Sequence, residues 1–171
     1  MPRRQLPTPS ATNLNALHSM RGNRWRDTCP ELALRSALRA SRVSGYRIAA
    51  PSVLGRPDVA FTRWKLAVFV HGCFWHRCPK CSLDLPKANR PFWRRKFELN
   101  AERDERKRRQ LEASGWEVLE IWECEVNRDA VGCAQRVRET LGKIQLHLEA
   151  DEEGAELRSV ARGRRDKHGR A

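Results

Sequence analysis

Four cysteines have the spacing of a metal site. Cys73, Cys78 and Cys81 form the motif C-x4-C-x2-C, and Cys124 follows the end of an apolar segment. In a reducing compartment thiols stay free or bind metal, and structural zinc sites take four thiolate or imidazole ligands. Because four thiolates leave no open coordination position, we expect a structural Zn²⁺ ion. The alternative is a set of unrelated buried or surface thiols.

Three carboxylates occupy positions where a hydrophobic core would favour apolar groups. Glu31 shares the inward face of a predicted helix, Asp104 lies in the apolar heptad stripe of a second helix, and Asp58 begins a strand. Carboxylates that converge need a cation or a histidine to offset their repulsion and desolvation. Mg²⁺ suits such a point, because it binds through one or two carboxylates while it holds a phosphodiester oxygen and activates a water. The sequence therefore predicts a magnesium site. The alternative roles are a capping box for Glu31, a solvated charge for Asp104 and a turn residue for Asp58.

Two histidines flank the first predicted zinc ligand. His71 follows a predicted buried strand, and His76 lies a few residues further along the same irregular segment. Two imidazoles held by a metal-braced loop beside clustered acids suit proton transfer near neutral pH. The alternative is that both are ordinary hydrogen-bonded side chains.

These side chains need elements that bring them together, and the apolar periodicity predicts such elements. The first predicted element is a helix that begins with a capping box of Thr28 and Glu31 and ends near Gly45. Strands follow at 46–49, 58–61 and 65–70, and then an irregular segment at 71–91. The last predicted elements are a helix at 91–113 that closes at Gly115, a strand at 116–122 and a helix at 129–148. This order predicts one α/β layer sandwich. The irregular segment is long for a compact domain, so a metal is the obvious way to order it.

Three of these elements carry more specific expectations. The unbroken apolar run at 65–70 is typical of a central strand, and the strand at 116–122 is predicted to be mostly buried. The last helix is predicted to bury one stripe of apolar residues. That stripe consists of Val131, Ala134, Val137, Leu141, Ile144 and Leu148. The two cysteines outside the motif, Cys29 and Cys133, are predicted to be small buried side chains.

The composition favours a polyanionic partner. The formal net charge is +13, and residues 1–26 contain five arginines and no acid. A strong basic excess is typical of nucleic-acid binding, although a generic basic protein is the alternative. We predict a basic, largely disordered arm at 1–26, one folded domain at 27–150 and a flexible tail at 151–171. No apolar run is long enough to cross a membrane, so we expect a soluble intracellular protein.

Phe74 and Trp75 are adjacent in the irregular segment, where burying both rings is difficult. Apolar side chains inserted between base steps open and kink a DNA duplex, so the pair is a candidate wedge. The alternative is a local cap over the zinc site. Trp93, near the start of the second long helix, is a further candidate whose alternative is a place in the core.

Several stretches together resemble the bacterial very short patch repair endonucleases. They are MRGNRWRDTCPE (20–31), GRPDVAF (55–61), VFVHGCFWH (68–76), FWRRKFELNAERD (92–104) and GWEVLEIWEC (115–124). The resemblance implies a restriction-endonuclease-like mixed β-sheet flanked by helices, with a structural zinc site. It also implies an enzyme that nicks duplex DNA 5′ to the thymine of a T:G mismatch and so begins the repair of deaminated 5-methylcytosine.

The resemblance also implies roles for the residues singled out above. Asp58 and the backbone carbonyl of Val70 would bind Mg²⁺, His76 would be the general base, and His71 would assist at the scissile phosphate. Glu31 would hold metal-bound waters and Asp104 would orient the histidine side. The wedge that intercalates beside the mismatch would consist of Phe74, Trp75 and Trp93.

The chain departs from the family pattern at two positions. Val70 stands where a threonine is familiar, but the change keeps the backbone carbonyl. Cys78 stands where a histidine often binds zinc, and a thiolate keeps the site. The partner implied is mismatched double-stranded DNA, with other repair factors as further partners, for a monomer in the bacterial cytoplasm near the nucleoid.

Three alternatives to this function stay open at the level of sequence. The first is a related nuclease with a different mismatch or sequence target. The second is a non-catalytic zinc DNA-binding module, which would bind DNA without cleaving it. The third is a scaffold that uses its tails to hold protein partners, and it rests on tail composition alone.

Overall fold

A computed structural model describes residues 26–167 of the chain. Its elements are helix α1 (Cys29–Ala40), strands β1 (Arg47–Ile48), β2 (Val59–Phe61) and β3 (Leu66–His71), helix α2 (Arg90–Ala113), strand β4 (Glu117–Trp122), and helices α3 (Glu123–Arg128) and α4 (Ala130–Lys167). The arm predicted at 1–26 lies almost wholly outside the described residues. Among those residues, no helix combines the length and apolarity needed to cross a membrane.

The four strands form one mixed sheet in the order β1-β2-β3-β4. Strands β1, β2 and β3 pair antiparallel, whereas β3 and β4 pair parallel, with His71 opposite Trp122 at the end of the ladder. Strand β3 lies between two partners and begins with Leu66, Ala67 and Val68, all fully buried. The prediction of a central strand at 65–70 is therefore confirmed.

Helices cover both faces of the sheet, because successive residues of a strand point to opposite sides. On one face α1, α3 and α4 pack against alternate residues of β2 and β3, with Leu38, Val126 and Val137 in the core. On the other face Leu111 of α2 packs on Ala60 and Ala67. This layered arrangement confirms the predicted α/β class.

Three features of the elements differ from the prediction. Helix α1 ends at Ala40, well before Gly45, because Ser41 and Arg42 turn the chain there and Arg42 has a positive φ of 56°. Strand β4 is only half-buried, because it lies at the edge of the sheet and of its residues only Ile121 is fully enclosed. A short helix that the periodicity did not predict, α3, follows it directly.

The last helix also differs from its prediction. Val137 is fully buried and Ala134 lies beside it, but Val131 is 65% exposed and Leu148 is 44% exposed. Helix α3 sets the start of α4, and α1 covers only part of its length, so the ends of the predicted stripe face solvent. Helix α4 continues to Lys167, into the region predicted as a flexible tail, and this region is rich in the good helix formers Ala, Glu and Arg. The extent of the functional domain stays a prediction.

Candidate functional site

The register of the parallel β3–β4 pair brings the predicted metal ligands together. His71 pairs with Trp122, and two residues beyond this pair the chain reaches Cys73 on one side and Cys124 on the other. The sulfur atoms of Cys73, Cys78, Cys81 and Cys124 all lie within 4.8 Å of one another. The structure therefore assembles the predicted four-cysteine cluster, which could hold a metal ion.

The donor set of this cluster suits a soft tetrahedral metal ion such as zinc. Burial raises the pKa of Cys73, although the backbone N–H of Cys124 donates to its sulfur at an N–Sγ distance of 3.4 Å. Burial also acts on Cys78, but the backbone N–H groups of Cys81 and Lys80 outweigh it and lower the pKa of that thiol. The residues present therefore fit a thiolate-bound metal.

Two glutamates flank Cys124, and the sequence analysis did not identify either of them. Glu123 accepts a hydrogen bond from the backbone N–H of Cys73, with an N–Oε2 distance of 2.9 Å. Glu125 is buried and accepts from Lys80 Nζ at 2.6 Å, from Arg136 at 3.0 Å and from the Trp122 N–H at 2.8 Å. Their partners in the cysteine segment, Cys73 and Lys80, lie 50 and 45 positions away, so periodicity could not reveal these contacts.

A histidine–aspartate pair lies next to the sulfur cluster. His76 Nδ1 is 2.5 Å from Asp104 Oδ2. Burial raises the pKa of Asp104, but the hydrogen bond from His76 and its charge outweigh burial and hold that pKa below its usual range. Asp104 therefore stays ionised and is an acceptor for a proton on His76 Nδ1.

His71 packs edge-on against His76, with 4.3 Å between the ring centroids. Burial lowers the pKa of His71 to about 4, and the neighbouring His76 contributes to the fall. His71 is therefore neutral near pH 7. A neutral ring keeps both a donor and an acceptor nitrogen, so it contacts other groups by hydrogen bonds rather than by charge.

Asp58 lies directly before β2 and reaches across to β3. Its Oδ2 accepts a hydrogen bond from the backbone N–H of Val70 at 2.7 Å. Burial raises the pKa of Asp58 to about 6, and the charge of Glu31 adds to the rise, while the Val70 N–H and Arg35 oppose it. A nearby cation favours the ionised form of such a carboxyl and offsets the cost of burying its charge. Asp58 therefore fits a divalent metal site at the end of β3.

Glu31 is buried on the inward face of α1 as predicted, but its hydrogen bonds differ from the predicted capping box. The Thr28 hydroxyl donates to Glu31 Oε1 and the Asp27 N–H donates to Oε2, both at 2.8 Å, whereas Thr28 does not cap the helix. The buried guanidinium of Arg35 pairs with Asp27 at 2.6 Å and lies 3.6 Å from Glu31. Arg35 and Asp27 thus surround the carboxylate of Glu31, whose charge adds to the rise that burial causes in the pKa of Asp58.

The two groups of acids do not merge into one cluster of carboxylates. Asp104 pairs with His76, whereas Glu31 is the acid that acts on Asp58. The two groups are joined through consecutive residues of β3, since Val70 contacts Asp58 and His71 contacts His76. The charge of Glu31 acts on Asp58, and the convergence of the three acids on one metal ion stays a prediction.

The three predicted wedge residues form one aromatic cluster. The ring centroids of Phe74, Trp75 and Trp93 lie 5.1 to 6.0 Å apart, and Phe97 of α2 packs beneath them. All three predicted residues are half-buried. Asn100, which is buried, donates to the backbone oxygen of Trp75 at 3.0 Å. Helix α2 thus holds these rings as a partly exposed ridge.

Glu120 contacts the histidine pair, and the two cysteines outside the cluster differ in burial. Glu120 of β4 lies 3.8 Å from His71 Nε2, and burial raises its pKa. Cys133 is buried as predicted, but the prediction for Cys29 is wrong because that thiol is exposed. Cys29 is the first residue of α1 and is exposed to solvent.

Comparison with known proteins identifies the family. The sequence model described as "DNA mismatch endonuclease Vsr" matches residues 12–82. The protein of that name from Escherichia coli is 37% identical over 106 residues, which cover 62% of this chain and 67% of that protein. A type II nicking enzyme of Lentzea aerocolonigenes, V.NaeI, is 40% identical over 130 residues, which cover 72% of this chain and 76% of the relative.

The chain belongs to the Vsr family of DNA endonucleases. A second nicking enzyme, V.NmeDIP of Neisseria meningitidis serogroup C, is 38% identical over 126 residues, which cover 71% of this chain and 82% of that enzyme. The resemblance to very short patch repair endonucleases is therefore confirmed. The protein is a hydrolase that acts on DNA and belongs to a family of mismatch-repair nucleases.

Proposed function

We propose that this enzyme nicks duplex DNA on the 5′ side of the thymine in a T:G mismatch, and so begins very short patch repair. Family membership supports the class of reaction. The observation that carries the proposal is the 2.5 Å contact between His76 Nδ1 and Asp104 Oδ2, beside neutral His71 and one strand away from Asp58. This is a set of groups for water activation at a phosphodiester.

The metal in this proposal is magnesium, bound by the Asp58 carboxylate and the backbone carbonyl of Val70, with Glu31 holding its waters. Oxygen ligands and a buried carboxylate suit this hard cation. Magnesium would supply charge stabilisation at the scissile phosphate and lower the pKa of a bound water. The raised pKa of Asp58 supports this assignment, because the buried charge lacks full compensation within the described protein.

His76 is the proposed general base. Asp104 holds the proton on Nδ1, so Nε2 accepts a proton from the attacking water, and the carboxylate stabilises the imidazolium that forms. His71 is neutral and packs against His76, so it donates a hydrogen bond to the scissile phosphate without repelling the new cation.

The four-cysteine cluster is the proposed site of a structural zinc ion. Its role is to order the segment at 72–89, which contains no helix or strand, and thereby to hold His76 at the active site. Phe74 and Trp75 of the aromatic ridge belong to the same segment, and Trp93 lies in the first turn of α2. We assign it the insertion beside the mismatch that opens the duplex.

The test is a strand-specific nicking assay with Mg²⁺ on duplexes that contain T:G, other mismatches or T:A at one position. We expect nicking of the T-containing strand of the T:G duplex. His76→Ala and Asp58→Ala should lose activity by about 100-fold or more, in line with the loss of a general base or a metal ligand. His147→Ala, a change at an exposed histidine of α4, is the matched control. Parental activity in both active-site variants would refute the mechanism.

A second candidate is nicking that depends on a particular sequence rather than on a mismatch. It is favoured by the names of V.NaeI and V.NmeDIP, which are called type II nicking enzymes. The same panel separates the two, provided that each mismatch is placed in several flanking sequences. Equal nicking of T:G and T:A in one sequence context would support this candidate and end the mismatch proposal.

A further inference from the structure

We infer that Glu123 and Glu125 are positioning residues for the metal site, and that retention of the metal depends on them. The inference rests on the proposed zinc site of this enzyme. It assigns a function to the two carboxylates that flank Cys124, each of which contacts a different part of the segment that carries the other three cysteines.

Glu123 acts on the first cysteine of the cluster. Its carboxylate accepts the backbone N–H of Cys73, with an N–Oε2 distance of 2.9 Å, and the two residues are 50 positions apart. The backbone N–H of Cys124 in turn donates to Cys73 Sγ at 3.4 Å. The pair of contacts fixes Cys73 and Cys124 relative to each other without requiring the metal.

Glu125 acts on the second half of the segment. Lys80, between Cys78 and Cys81, donates to Glu125 Oε1 at 2.6 Å. The same carboxylate is held from behind by Arg136 of α4 at 3.0 Å and by the Trp122 N–H at 2.8 Å. Arg136 and the Trp122 N–H therefore hold Glu125 in place, and its carboxylate holds Lys80 of the cysteine segment.

These contacts matter because three of the four cysteines lie in a long irregular segment. Segment 72–89 contains no helix or strand, so little regular backbone structure fixes its cysteines. Outer-shell groups that orient metal ligands commonly affect metal affinity by about 10- to 100-fold. A site held in place before the metal binds loses less conformational entropy on binding and releases the metal more slowly.

The two glutamates have different kinds of partner, so each needs a different substitution. The partner of Glu123 is a neutral N–H, so Glu123→Ala removes the acceptor while Glu123→Gln keeps one. The partners of Glu125 are cations, so Glu125→Gln keeps the shape and removes the charge. Lys80 is 57% exposed, which makes its ion pair the weaker of the two contacts.

The experiment measures transfer of zinc from the purified full-length protein to a chromophoric chelator. We expect Glu123→Ala to accelerate release by about 10-fold or more, Glu123→Gln to restore release close to the parental rate, and Glu125→Gln to accelerate it by a few-fold. Lys80→Met, a change at an exposed side chain, should match Glu125→Gln. Glu139→Gln, on the exposed face of α4, is the control and should release zinc at the parental rate.

A spectroscopic measurement separates positioning from general destabilisation. Co²⁺ bound to thiolates absorbs according to the geometry of its ligands, so Glu123→Ala should alter the spectrum whereas Glu139→Gln should not. Parental release rates and spectra in Glu123→Ala, Glu125→Gln and Lys80→Met would overturn the inference. A parent that binds neither zinc nor cobalt would overturn it together with the zinc proposal. A parent that retains zinc but fails to nick T:G would refute the catalytic proposal alone.

Discussion

The Asp104 carboxylate decides which nitrogen of His76 carries the proton. It is half-buried and its pKa lies below the usual range despite burial, because His76 donates to it. An ionised acceptor at Nδ1 favours the tautomer whose proton is on Nδ1, and it stabilises positive charge on the ring. The proposed base is thus prepared by the fold before DNA arrives.

Asp104→Asn should therefore reduce the nicking rate while DNA binding is retained. An asparagine in this position presents an amide that does not stabilise the imidazolium and can select the wrong tautomer. We expect the single-turnover rate to fall by about 100-fold or more. The matched measurement is affinity for the same duplex in Ca²⁺, which should change little. Parental single-turnover rates in the variant would contradict the assignment of His76.

Glu120 contributes to the pH dependence of stability. Burial raises its pKa, so the folded protein favours the protonated carboxyl. The stabilising contribution of this group is therefore present below its unfolded pKa and is lost as pH rises through the higher folded value. Glu120→Gln should raise the free energy of unfolding at roughly pH 8 and give little or no gain at roughly pH 4.

Urea denaturation at the two pH values measures this effect. Glu117→Gln is the matched control, because Glu117 is an exposed residue of the same strand. A gain of equal size at both pH values would show that the charge of Glu120 is not its cause.

Helix α4 contributes to the core through only part of its length, and two valines demonstrate this. Val137 is fully buried, whereas Val131, six residues earlier, is 65% exposed. We expect Val137→Ala to lower the free energy of unfolding by about 1–3 kcal/mol, from lost apolar burial and a residual cavity. Val131→Ala should change it by less than about 0.5 kcal/mol. Chemical denaturation of both variants checks the difference, and equal losses would contradict the packing.

Apolar periodicity predicted the helices and strands that have a clear buried face. The run of buried residues in β3 and the positions of α1 and α2 were evident, because apolar spacing reports burial directly. Helix α3 was missed since its six residues are too few to display a period. The half-burial of β4 was missed because apolar spacing within a strand does not reveal whether the strand lies at the edge of the sheet.

The site residues were also predicted only in part. Residue types and spacing led to the four cysteines, to His71 with His76 and to Asp58, and the structure brings each of these sets together. Glu123, Glu125 and Asn100 were not identified. Their contacts with the segment at 72–89 join residues 25 to 50 positions apart, and isolated polar residues in helices usually face water.

The basic charge of the complete chain predicts how DNA binding depends on salt. The net charge is +13, and cations that neutralise phosphates release counterions, so affinity falls as salt rises. We expect the dissociation constant for duplex DNA to rise by at least ~100-fold between ~50 and ~200 mM monovalent salt. Phosphate contacts carry no sequence information, so the proposed preference for T:G over T:A should change little with salt.

Fluorescence anisotropy with both duplexes over a salt series measures these two quantities. A preference for T:G that disappears as salt rises would show that the discrimination itself depends on phosphate contacts. A dissociation constant that is independent of salt would contradict the assignment of the positive charge to DNA binding.

The parallel pairing of β3 and β4 bears on how the chain folds. Strands β2 and β3 are joined by a short turn and can form a hairpin quickly, but β4 reaches its partner only after a crossover that includes residues 72–116. Contacts between distant parts of a chain slow folding. We expect docking of β4 to be the late step of refolding, and until then the apolar edge of β3 is open to strands of other molecules.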